Sequence, residues 1–135
     1  MLKIVLLLLT ILLEPMPQAQ DKTATLTVEI SGLRNSKGNL LVQLTDGVGK
    51  KVANQKAQVN NRRATFCFSK LATGTYAIRY FHDANENDLL DTNWMGMPTE
   101  DYGFSNNAKA LFGAPPMKER IFSVTRDTTV TLTIG

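Results

Sequence analysis

The sequence predicts an all-β protein: a single antiparallel β-sandwich of about seven short strands, preceded by a leader and interrupted by one long ordered loop. Three observations carry this expectation. Apolar and polar residues alternate at period two in window after window beyond residue 23. Clusters of Gly, Asn, Asp and Ser separate those windows. Outside the first twenty residues, no window carries the 3.6-residue apolar stripe of an amphipathic helix.

The length of 135 residues suits one domain, and 43% hydrophobic with 20% charged residues excludes a disordered tail or a collagen-like repeat. Histidine and cysteine occur once each. That leaves too few ligands for a His- or Cys-rich zinc site and no pair for a disulfide.

Residues 1–20 read as a secretory signal peptide. Lys3 precedes a nearly unbroken apolar run over residues 4–13, and residues 14–20 are polar, proline-containing and end in small residues. The run is shorter than the roughly 20 apolar residues that span a bilayer. Cleavage after Ala19 or Gln20 would release a single domain of residues 21–135, secreted or periplasmic, with no stable membrane insertion once the signal is removed. Cys67 is then a lone thiol in an oxidising compartment, and its place between Phe66 and Phe68 predicts burial.

The strands follow in order. Over residues 24–30, Leu26, Val28 and Ile30 fall on one face. Over residues 40–45, Leu40, Val42 and Leu44 do the same, and the turn-rich link over residues 31–38 suits a hairpin. Residues 51–59 are a weaker strand with Val52 and Val59 as apolar points. Residues 64–69 place Ala64, Phe66 and Phe68 inward. A tight turn then feeds Tyr76, Ile78 and Tyr80 into the next strand, and residues 120–124 and 128–134 read as a terminal pair around Thr125-Arg126-Asp127. The turn Leu71-Ala-Thr-Gly-Thr-Tyr76 resembles the one that enters a central strand of transthyretin-like sandwiches. The two cysteines around a tryptophan that mark antibody domains are absent, so an immunoglobulin-like architecture is argued from strand pattern alone.

Over residues 82–118 the alternation stops. Loops beyond about 12–15 residues are uncommon in compact domains and tend to be functional or disordered. This one carries Trp94, Tyr102, Phe104 and Phe112, which favours order. Packing is the expected role of these rings. If two or more prove exposed and coplanar, Trp94, Tyr102 and Phe104 become a ligand face for a glycan or another exported protein.

The loop opens on an oxygen-rich spacing. Asp83, Asn85, Asn87 and Asp91 stand at positions 1, 3, 5 and 9 of a calcium-binding loop, with the Leu89 carbonyl at position 7. Alternate residues of a tightly wound loop can all aim oxygens at its centre, and calcium takes six to eight of them in irregular geometry. Magnesium suits so many protein oxygens less well. Two departures stand out. Position 6 is Asp88 where the consensus has Gly, and position 12 is Trp94 where it has Glu. Glu100, Asp101 or water would supply the missing ligand. The competing reading is a metal-free Asx-rich loop held by its own hydrogen bonds.

Catalysis is not expected. A Ser–His–Asp arrangement would need His82 with Ser105, yet Ser105 precedes Asn106-Asn107 and no strained glycine elbow surrounds it. A glycosidase pair of Asp83 and Glu100 would need a deep cleft that so short a chain has little room to build.

The run HDANENDLLDTNWMGMPTEDYGFSNNA over residues 82–108 and the box FGAPP over residues 112–116 resemble a bacterial family of small exported proteins of unknown function. Its members share H-D-x-N-x-N-x-x-x-D, then Y-G-F-S-N-N, then F-G-x-P. The resemblance implies the same sandwich, an exported location and no known activity. It includes Glu100, which supports that residue as part of the same site.

Net charge is +3, but residues 82–101 hold six acidic side chains and no Lys or Arg. That window carries −6, so the partner it predicts is a cation, calcium first, rather than a nucleic acid.

Overall fold

Two sheets stack face to face in the structure, a computed structural model describing residues 13–18 and 21–134. The signal-peptide reading of residues 1–20 lies largely outside them. Among the described residues eight strands make up the sheets: β1 (Thr23–Ser31), β2 (Asn39–Asp46), β3 (Lys51–Gln58), β4 (Ala64–Ala72), β5 (Gly74–Asp83), β6 (Tyr102–Phe104), β7 (Phe122–Val124) and β8 (Thr128–Thr133). A one-turn helix, α1, covers Met117–Arg120. One sheet runs β4-β1-β8; the other runs β3-β2-β5-β6, with β7 also pairing with β5. Among the described residues no helix is long and apolar enough to cross a membrane.

The period-two pattern is the packing pattern. Leu26, Val28 and Ile30 from β1 meet Leu40, Val42 and Leu44 from β2 in one core that includes Phe66, Phe68, Tyr76, Ile78, Tyr80, Val124 and Leu132. Each large apolar side chain so buried stabilises the fold by about 1.5–3 kcal/mol. The turn into β5 is locked at its base, since the Tyr76 hydroxyl bonds back to the Ala72 carbonyl. Such a tyrosine corner fixes the entry of a central sandwich strand.

Four expectations change. Residues 31–38 form no hairpin: β1 and β2 lie in different sheets. The link crosses the end of the sandwich, with fully buried Leu33 as its plug. The last two strands do not pair either. β7 pairs antiparallel with β5, and β8 pairs parallel with β1, from Leu26–Thr128 to Ser31–Thr133. On edge strand β3, Val52 is exposed while Ala53 and Ala57 pack against the core, which explains the weak apolar signal there. Cys67 is exposed, because the same alternation that buries Phe66 and Phe68 turns the residue between them to solvent.

The long gap is ordered and contains β6. Its three residues pair with β5 from Arg79–Phe104 to Phe81–Tyr102. A strand so short carries no periodicity for a sequence to display. The excursion therefore begins on Asp83, the last residue of the central strand β5, and returns onto that same strand.

Candidate functional site

Asp83, an acidic residue, is fully buried. Its Oδ1 accepts the Asn87 N–H at 3.1 Å and its Oδ2 accepts the Asp88 N–H at 2.8 Å. One carboxylate thus winds the loop around itself by taking both of its oxygens to backbone donors. The chain is pressed against Asp83 from the other side as well. A Cβ on Gly38 (φ +64°) would stand 2.2 Å from the Asp83 carbonyl oxygen.

The side chains of Asn85 and Asn87 then converge on Asp91, donating to its two carboxylate oxygens at 2.5 Å and 2.7 Å. Asn87 Oδ1 accepts the Leu89 N–H at 3.0 Å. Asp88 has φ +60°, so the left-handed turn that a glycine would make at position 6 is made by an aspartate. Asp is among the few residues that enter this region at modest cost.

The chain comes back through a second turn. Asn93 Oδ1 accepts from Met95 and Met97 N–H at 2.9 Å and 3.0 Å, and the Thr99 N–H donates to the Asp91 carbonyl at 2.8 Å. This brings Glu100 to the loop, where its Oε2 accepts the Asp91 N–H at 3.1 Å. Asp101 turns elsewhere, to the Arg34 backbone N–H at 3.0 Å and guanidinium at 2.9 Å. Of the two acids open at position 12, Glu100 is the one at the site. The structure brings Asp83, Asn85, Asn87, Asp91 and Glu100 onto one connected cluster, with Leu89 on its rim.

The charge balance is uneven. Two ion pairs occur among the described residues, Arg34–Asp101 and Lys56–Asp88. Asp83, Asp91 and Glu100 thus make no ion pair with a cationic side chain among the described residues. No three His, Cys, Asp or Glu side chains among the described residues sit together as a ready-made metal cluster. The grouping here is of a different kind, carboxylates interleaved with amides, and the amides now donate to Asp91. Turning each amide over would present oxygen instead of NH2.

His82 stands apart. It is buried, its ring Nε2 lies 2.5 Å from the Lys37 carbonyl oxygen and its N–H donates to the Asp101 carbonyl at 2.7 Å. Ser105, also buried, takes the Ile78 N–H at 2.9 Å. Ile78 and His82 are four residues apart on one strand, roughly 13 Å at the usual rise. The two residues of the imagined Ser–His pair are not brought together.

The aromatic residues split. Phe104 packs, edge to face with Tyr102 (centroids 6.2 Å apart, rings at 86°) and under the Arg120 guanidinium at 5.4 Å. Trp94 and Phe112, expected to pack, are 91% and 106% exposed. The turn built by Asn93 holds Trp94 outward, and Tyr102 and Phe104 stand nearly perpendicular, so these two rings form no coplanar platform. Beneath the core-side tyrosines, burial and then the charge of Asp101 push the Tyr80 hydroxyl up to about 12.

One feature of this end of the molecule escaped the sequence reading. Leu41 and Phe81 face outward, each beside an inward apolar neighbour. The signal was there as the consecutive pairs Leu40-Leu41 and Tyr80-Phe81, which break strict alternation.

Fold and loop together define an all-β sandwich domain with one ordered, oxygen-rich excursion from its central strand. Residues 28–132 match the model of the family described as "Uncharacterized protein conserved in bacteria (DUF2141)", and the chain belongs to that family. No curated protein and no solved structure matches the chain.

Proposed function

We propose that this protein is an exported binding or structural module whose excursion is ordered by one calcium ion, held by Asp83, Asn85, Asn87, the Leu89 carbonyl, Asp91 and Glu100. The observation that carries the reading is the convergence of Asn85, Asn87 and Glu100 on Asp91, next to buried Asp83, without a Lys or Arg partner. Oxygens gathered without a counter-charge are what a hard divalent cation needs. The left-handed Asp88 supports it further, since the turn required at position 6 is present despite the missing glycine. Among sandwiches we place the domain with the transthyretin-like ones, supported by the Leu71–Tyr76 turn and its tyrosine corner.

Calorimetric titration of the chelator-treated protein with calcium tests the reading. One saturable site is expected, with affinity on the order of 10⁻⁴–10⁻³ M as in extracellular modules. At tenfold excess over Kd the ion adds about 1.4 kcal/mol, a rise of several degrees in Tm. Identical melts in calcium and in chelator would sink it.

The exposure of Trp94 favours a second reading, a metal-free recognition module that contacts a glycan or an exported protein through this ring. Trp94 is the sole tryptophan, so its fluorescence reports the contact directly. Quenching by a glycan panel in chelator supports this reading, and an unchanged spectrum counts against it. Neither reading is enzymatic. The engagement of Ser105 and His82 with backbone groups supports leaving hydrolysis aside.

A further inference from the structure

We propose that the outer face of the five-stranded sheet is a binding site for a small organic anion with an apolar body, a medium-chain carboxylate in chemical class. Outer faces of sandwich sheets are ordinarily solvated and polar. Here the cross-strand register places Leu41 beside Phe81 and Phe81 beside Tyr102, giving an apolar row across β2, β5 and β6. The next row sets Gln43, Arg79 and Phe104 side by side. Leu90 of the excursion and Ala114 help enclose the space above them, a cavity of about 570 Å³. That is within the range of small-molecule sites, about 300–1,000 Å³.

Charge selects the occupant. Arg79 lines this cavity, is exposed and makes no ion pair among the described residues. Arg120 stacks on Phe104 at 5.4 Å and steadies that wall from outside the lining. Arg79 is therefore the guanidinium that reaches this cavity, with no acid paired to it. The acid on the opposite rim, Asp88, is already neutralised by Lys56 at 3.1 Å. An apolar groove that ends in one uncompensated guanidinium is complementary to a chain or ring bearing one carboxylate. A cationic amphiphile would set its charge against Arg79, and a neutral one would leave that donor fork unmet. Leu90 and Asp88 stand on the excursion, whereas Leu41, Arg79, Phe81, Tyr102 and Phe104 stand on the strands of the sheet.

The test is calorimetric titration of the whole protein in chelator with decanoate, decylammonium and decanol. Saturable one-site binding of decanoate is expected, at least about tenfold tighter than either of the others. Arg79→Gln should weaken decanoate about tenfold while leaving decanol unchanged and Tm near that of the unaltered protein. Leu41→Asn should weaken all of them. Equal binding of the three amphiphiles, an unaltered affinity in the correctly folded Arg79→Gln variant, or no saturable binding would overturn the proposal. The calcium reading is scored by melts with and without the ion and no amphiphile, so its failure and failure here are separate outcomes.

Discussion

Asn87 donates its side-chain amide to the Asp91 carboxylate at 2.7 Å, and that bond must give way before the amide oxygen can face a cation. Asp91 and Asp83 thereby acquire different duties. Asp83 holds two backbone N–H groups from a fully buried position, so Asp83→Ala removes structure along with any ligand. The expected loss is about 2–4 kcal/mol in chelator, from two orphaned donors. Asp91 takes its side-chain partners from surface amides, so Asp91→Ala should cost at most about 1 kcal/mol there, yet abolish the calcium-dependent rise in Tm. Urea denaturation with and without calcium separates the two variants.

Gly38 is the other support of the loop's first residue. With φ +64° and the Asp83 and Ala84 carbonyl oxygens at 2.2 Å and 2.8 Å from a hypothetical Cβ, no side chain fits without moving backbone. Gly38→Ala is expected to destabilise by about 1–3 kcal/mol or more through overpacking and left-handed strain. It should also weaken calcium binding by displacing Asp83. Gly49→Ala makes the control, since its positive φ meets open space. Thermal melts of both variants check whether contact, rather than φ alone, sets the loss.

These positions show what the sequence could and could not display. The inner rows of β1, β2, β4 and β5 were legible, because alternation and burial are the same fact seen twice. Strand partners were not. Whether β7 joins β8 or β5 depends on which sheet each can cover, and a turn such as Thr125-Arg126-Asp127 serves either connection. The loop oxygens were legible by spacing, whereas the choice of Glu100 over Asp101 came from the Asn93 turn and from Arg34, sixty-seven residues away. Cys67 was misread by weighing residue type above strand parity.

Ser105 ties the excursion to the central strand. It is fully buried, its Oγ accepts the Ile78 N–H at 2.9 Å and its hydroxyl reaches the Arg120 carbonyl. Ser105→Ala should leave these groups unpaired and cost about 1–3 kcal/mol, measured by urea denaturation. An unchanged midpoint would mean that water replaces the hydroxyl and that this tie contributes little.

The exposure of Cys67 has a direct chemical readout. One thiol per native chain should react with an aromatic disulfide reagent at a rate close to that in denaturant. Slow reaction that accelerates only on unfolding would show that β4 shields it after all.

Tyr80 makes the fold sensitive to alkali. Its phenol is held to about 12, against 10.0 for an unperturbed tyrosine, by burial first and the Asp101 charge second. Between those values the unfolded chain has released a proton that the folded chain still holds, so deprotonation favours unfolding. The contribution of Tyr80 is therefore whole below pH 10 and is lost as pH rises through 12. Tyr80→Phe keeps the ring that packs under Gly103 and removes the ionisable oxygen. Other groups also lose protons in alkali, which makes the comparison between the two proteins the informative quantity. Tm should fall less steeply above pH 10 in Tyr80→Phe, and its phenolate absorbance should lack the step near 12. Parallel Tm curves, with that step retained in the variant, would assign the late titration to another tyrosine.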